Sequence, residues 1–177
     1  MKKFILTATL ALFLTNISTA QDSKFYLGIG VGYASAGGDF DDNDGGIAFD
    51  FLDMGYRFNE SWGVTLGLNS ASHNTDGQGF SGTTVVTSFA IGPMYSVPVG
   101  NMMWDFKPQY AFSMAADIDY GGLDAFEEKG SGFILGNSLV MGDNSWQWSI
   151  DADYVMGNFD DLGYNSFRIG AGLRYNF

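Results

Sequence analysis

From Phe25 to Ala34 the chain reads FYLGIGVGYA. Every odd position is large and apolar, whereas the even positions are mostly glycine or alanine. Successive side chains of a strand point to opposite faces, so this period of two describes a strand with unlike faces. The end of the chain repeats it. Phe167, Ile169, Ala171, Leu173, Tyr175 and Phe177 fall on one face, and Arg168, Gly170, Gly172, Arg174 and Asn176 on the other. Such strands suit either a soluble sandwich with one wet face or a barrel with lipid outside and a polar lumen inside. The termini and the strand count decide between them.

The N-terminus begins Met1-Lys2-Lys3, continues through the apolar run Phe4 to Leu14, and reaches Asn16-Ile17-Ser18-Thr19-Ala20. A basic start, a short apolar run and small residues before a cleavage point make residues 1–20 a secretory signal peptide, with cleavage expected after Ala20. The run is too short for the roughly 20 residues of a membrane-spanning helix. Loss of Lys2 and Lys3 leaves residues 21–177 with 6 basic and 20 acidic side chains, a net charge of −14. Nucleic acid is therefore not an expected partner. The 177-residue precursor has no cysteine, so no disulfide supports the fold. Glycine (25 residues) and aromatics (16%) are abundant. Alternating strands account for both.

The pattern predicts strands near 24–36, 46–58, 61–72, 82–97, 101–116, 130–141, 145–157 and 164–177. Eight is an even count, and each is long enough to cross a bilayer when tilted. Expected lipid-facing rows are Trp62, Val64, Leu66 and Leu68; Val85, Thr87, Phe89, Ile91, Pro93, Tyr95 and Val97; Met102, Trp104, Phe106, Pro108, Tyr110, Phe112 and Met114; and Trp146, Trp148, Ile150, Ala152, Tyr154 and Met156. Connections alternate in length. Short turns fall at Asn59–Ser61, Pro98–Asn101 and Gly142–Ser145, and longer ones at 37–45, 73–81, 117–129 and 158–163. With both termini periplasmic, all the long loops lie outside the cell, as expected of an outer-membrane barrel. In the second strand the apolar parity changes at Phe51–Leu52, which a β-bulge would repair. Pro93 and Pro108 cannot donate to a ladder, so distortion is expected at their hairpin.

The leader, the eight alternating strands and the ending Gly172-Leu173-Arg174-Tyr175-Asn176-Phe177 resemble the small OmpA/OmpX-like, opacity-protein-like outer-membrane barrels of Gram-negative bacteria. The resemblance implies an all-β, eight-stranded antiparallel up-and-down barrel. It also implies that Gly172, Tyr175 and Phe177 form the C-terminal signal read by the barrel-assembly machinery, with periplasmic chaperones as earlier partners. Outer-membrane lipid and lipopolysaccharide would surround the finished barrel.

Parity places Arg57, Lys107, Arg168 and Arg174 in the lumen against Asp53, Asp105, Asp151 and Asp153, with Asp50 joining them through the bulge. An eight-stranded barrel is just wide enough for side chains to fill it. These charges are expected to pair with one another and with Tyr26, Gln109 and Gln147, making a plug. Gly28, Gly30 and Gly32 should face Gly170 and Gly172 and leave room for the arginines.

Carboxylates also gather in the outer loops: Asp39, Asp41, Asp42 and Asp44; Asp117, Asp119, Asp124, Glu127 and Glu128; Asp160 and Asp161. Clustered carboxylates suit hard cations. The segment from Asp39 to Gly45 loosely resembles a calcium loop, which makes Asp39, Asp41, Asn43 and Asp44 the weak metal candidates, its glycine standing one place late. Solvated acidic loops are the plainer reading. No cofactor is expected. The expected role is a non-enzymatic surface protein presenting acidic loops for envelope integrity or adhesion to an external ligand. Two alternatives compete with it: a lipid A-modifying enzyme using His73, the only histidine, with Ser70, Ser72 and Asp76 nearby, and a narrow pore.

Overall fold

The computed structural model describes residues 25–40, 44–77, 80–119, 126–142, 145–160 and 162–177. The expected leader, Asp41, Asp42, Asn43, Asp124 and Asp161 lie outside them. Eight strands follow in chain order: β1 (Phe25–Ala34), β2 (Gly46–Arg57), β3 (Trp62–Gly77), β4 (Phe80–Val99), β5 (Met102–Asp119), β6 (Phe126–Met141), β7 (Trp146–Phe159) and β8 (Leu162–Asn176). Each pairs antiparallel with its sequence neighbour, and β1 pairs with β8 to close the barrel. Closure leaves no sheet edge in the lipid, where an unpaired backbone group costs several kcal/mol.

The outer face carries the apolar rows. Ile29, Val31, Trp148, Ile150, Phe133 and Phe167 are each about half exposed or more, a surface suited to lipid and not to water. Trp62 packs on Tyr95 and Trp146 on Tyr175 near the periplasmic turns, forming an aromatic belt at that level.

Irregularities sit where parity changes. Register shifts occur between Asp50 and Leu52 against β3 and between Gly28 and Gly30 against β2, the bulge expected at Phe51–Leu52. Pairing of β4 with β5 lapses between Ile91↔Tyr110 and Tyr95↔Phe106, across Pro93 and Pro108, although the register is unchanged on either side. A second bulge was not anticipated. The partners of β5 shift between Ala111 and Met114, and Phe112 and Ser113 are both exposed. Met114, expected on the lipid face, therefore turns inward and is 1% exposed. The extra residue reverses the parity of everything after it.

The outer loops are also shorter than expected. Segments 73–81 and 117–129 are largely strand, since β3 runs to Gly77, β4 starts at Phe80, β5 reaches Asp119 and β6 starts at Phe126. Four residues of β3 lie beyond the one that would face Gly46, and four of β6 lie beyond Gly130, the partner of Phe159. At 3.4 Å per residue β3 to β6 rise about 14 Å along the strands above β2 and β7.

Candidate functional site

The lumen has two layers with different chemistry. The periplasmic half holds the charges. Arg174 is the hub: its guanidinium lies 2.9 Å from Asp53, 2.9 Å from Asp105 and 3.5 Å from Asp151. Its Cζ stands 4.6 Å from the centre of the Tyr26 ring, close enough for a cation–π contact. Arg57 reaches Asp105 at 3.0 Å, and Lys107 reaches Asp53 at 3.3 Å. Hydroxyls take up remaining acceptor positions. Ser96 donates to Asp105 at 2.6 Å, Ser149 to Asp151 at 2.6 Å and Tyr26 to Asp53 at 3.1 Å, and Ser138 also donates to Asp151. Buried charges are tolerable only when paired and hydrogen-bonded in this way.

Glycine makes the hub possible. A Cβ on Gly28 would lie 2.9 Å from Arg174 Cγ, so the arginine stem occupies the space that a side chain would take. Across the closing seam Gly30 faces Gly172 and Gly32 faces Gly170.

Not every expected lumen residue joins the network. Gln147 donates to the Gly142 carbonyl at the β6–β7 turn, and Gln109 contacts Thr65 at 3.4 Å. Among the described residues no ion pair includes Asp50, Asp153 or Arg168. Arg168 donates to Asn69, and Asp153 accepts from the Asn137 amide at 3.2 Å. Asp50, Asp151, Asp153 and Arg168 line a small cavity at mid-lumen. Sequence reading missed the neutral partners Asn69, Ser96, Ser138 and Ser149. Their inward parity was the available signal.

The outer half of the lumen is mainly apolar, although Thr84, Ser88 and Ser166 are buried at positions paired with Ile118, Met114 and Val155. Val86, Ala90, Ala111, Met114, Ile118, Ile134, Val155, Phe159 and Tyr164 form one buried cluster. Phe40, from the segment after β1, covers it with its ring centre 6.2 Å from that of Phe159 and 5.7 Å from that of Tyr164. His73 belongs here. It is fully buried, with Nε2 2.9 Å from the Tyr164 hydroxyl, and offers no exposed ring edge to a lipid.

At the rim, Asp39 is engaged by the Gly163 amide at 2.6 Å, and Asp44 donates through its backbone to Asn74. Asp117 and Glu127 stand directly opposite each other on β5 and β6 and are exposed, with Lys129 3.4 Å from Glu127. Among the described residues no group of three or more His, Asp or Glu is arranged to hold a metal ion. At the C-terminus, Phe177 donates its amide to the Phe25 carbonyl and packs on Phe25 and Tyr175, while Gly172 faces Gly30.

Residues 4–177 match the family model described as outer membrane protein beta-barrel domain. No curated protein matches the chain. Among solved structures, Neisserial surface protein A (NspA) aligns with a TM-score of 0.66 and 13% identity over 86% of this chain and 97% of that one. Ail, the attachment invasion locus protein of Yersinia pestis, in complex with the heparin analogue sucrose octasulfate, aligns with a TM-score of 0.56 and 20% identity, covering 86% and 99%. The N-terminal beta-barrel domain of Pseudomonas aeruginosa OprF gives a TM-score of 0.50 and 11% identity, covering 88% and 100%. At these identities the likeness is one of fold.

Proposed function

This chain belongs to the outer membrane protein beta-barrel domain family and resides in the bacterial outer membrane, and from that premise we propose that it is a non-enzymatic anchor presenting an acidic surface outside the cell. The observation that carries the proposal is the filled lumen. Ion pairs occupy its lower half and an apolar cluster its upper half, so the useful surface is the rim. Raised hairpins β3–β4 and β5–β6 lift part of that rim clear of the bilayer, with Asp117, Glu127 and Glu128 on the second.

Charge narrows the partner. Ail is described with a polysulfated heparin analogue; a rim rich in carboxylates repels such a ligand and favours cationic surfaces, or divalent ions bridging it to lipopolysaccharide phosphates. Cells displaying the protein should bind a polycation such as polylysine in a salt-sensitive manner and leave sucrose octasulfate unbound. Equal binding with and without the protein would remove the rim from consideration.

Burial of His73 supports the non-enzymatic reading. Lipid A mass spectra from cells lacking the protein, carrying it, or carrying His73→Ala should coincide. A change dependent on His73 would make the protein an enzyme. The C-terminal strand is proposed to carry the assembly signal through Gly172, Tyr175 and Phe177, tested by surface delivery of a Phe177→Ala variant.

A further inference from the structure

The two seams of β1 are the barrel's thinnest joins: β1 has 10 residues, the fewest of any strand, and makes nine register pairs with β8 and nine with β2, against 16 between β3 and β4. On the inner face the β1–β8 seam brings glycine against glycine at Gly30↔Gly172 and Gly32↔Gly170, so no side chains pack across it there, whereas β2 sets Asp50 and Ala48 against the same glycines.

β8 continues outward past the end of β1, and the segment Ser35–Phe40 runs along that exposed edge. The Ser35 amide donates to the Phe167 carbonyl at 2.9 Å, and the Phe167 amide to the Ser35 hydroxyl at 3.0 Å. Next the Asn165 amide donates to the Gly37 carbonyl at 3.0 Å. Asp39 then closes both sides: its amide donates to the Gly163 carbonyl at 2.8 Å, and its carboxylate accepts from the Gly163 amide at 2.6 Å. Gly38 bends the segment at a φ of 76°, where a Cβ would be strained. Phe40 then turns in and is buried against Phe159 and Tyr164.

We infer that Ser35–Phe40 is a latch that holds the β1–β8 seam shut from the outside, and that this seam is the line along which the barrel opens. Among the described residues these bonds tie the segment to β8, and Phe40 enters the apolar cluster beside β7 and β8. Opening the seam therefore requires withdrawing that ring from its packing.

The chain has no cysteine, and a Cβ on Gly37 would lie 3.9 Å from the Asn165 Cβ, within the range of about 3.5–4.5 Å that a disulfide spans. The experiment is amide hydrogen exchange on the protein in lipid nanodiscs, comparing the unaltered chain, Phe40→Ala, and the double variant Gly37→Cys with Asn165→Cys, oxidised and reduced. Phe40→Ala should speed exchange of the Leu27–Tyr33 and Ile169–Leu173 amides about tenfold and leave the β4–β5 amides unchanged, as a local opening requires. Oxidation of the cysteine pair should slow the same seam amides by a similar factor relative to the reduced form. If Phe40→Ala fails to fold, the oxidised and reduced forms carry the test alone. Seam exchange indifferent to the disulfide, or equal changes in every strand, would overturn the inference.

Discussion

Asp105 is fully buried and accepts from Arg57, Ser96 and Arg174 together. Replacing it by alanine leaves two largely buried arginines short of a partner. Breaking a buried pair from one side costs about 3–5 kcal/mol, so Asp105→Ala should lose the heat-resistant folded form at a lower temperature. Asp151→Ala should act in the same direction, because Ser138, Ser149 and Arg174 all converge on that carboxylate. Neither variant should conduct in planar-bilayer recordings, since the apolar layer above stays packed. Single-channel currents from either would show that the ion pairs, and not the apolar layer, hold the lumen shut. His73 gives a smaller effect of similar origin. Tyr164→Phe removes the hydroxyl that meets Nε2 and should cost about 1–3 kcal/mol through a buried nitrogen left without that contact. Lipid A should be unaffected.

Strands β2 and β5 each hold one residue more than the regular alternation of their neighbours requires. In β2 the apolar residues themselves change parity at Phe51–Leu52, so that bulge was legible in the sequence. In β5 the row from Met102 to Met114 runs unbroken through the bulge, because methionine suits lipid and core equally well. Only pairing with β4 and β6 shows that Phe112 and Ser113 share the outer side and that Met114 turns in. Deleting Ser113 removes that extra residue and should leave Phe112 outward with Met114, Ala116 and Ile118 still inward, because Met114 then directly follows Phe112. The expected outcome is a folded barrel, measured as a retained heat-resistant band in gel electrophoresis of membranes. Loss of that band would mean that the bulge itself, and not the facing of the residues beyond it, is what the outer ends of these strands require. The raised hairpins escaped sequence reading for a related reason. Segments 73–81 and 117–129 have the polar, glycine-containing composition of loops, but above the membrane a strand needs no apolar face, so composition no longer separates the two.

For the whole molecule, the division of the lumen into a charged layer and an apolar layer sets what the protein can do. An eight-stranded barrel leaves little space inside, and here that space is filled by paired charges below and by Met114, Phe159, Tyr164 and Phe40 above. Substituting Met114 and Phe159 together by alanine removes two large side chains from the upper layer. Beyond the several kcal/mol of stability lost to the cavity, it should be the variant, if any, in which a small water-filled path appears, read as conductance in planar bilayers. Electrostatics act at the same scale. The attraction proposed between the rim and polycations should weaken as salt rises toward 1 M, where the Debye length falls to about 3 Å.

Period-two alternation from Phe25 to Ala34 and in five further strands, an even strand count and alternating loop lengths were enough to specify a lipid-facing barrel, because each is a local property of the chain. The inward charges were legible for the same reason: a strand assigns a face to every residue once one is known. Which charges pair is another matter. Arg174 meets Asp53, Asp105 and Asp151 from three different strands, and Arg168 finds Asn69 instead of a carboxylate. That depends on strand tilt and on two bulges, which set the height at which each side chain enters the lumen. Burial of His73 against Tyr164 and the strapping of Ser35–Asp39 along β8 likewise arise only on closure, when residues more than ninety positions apart in the chain come into contact.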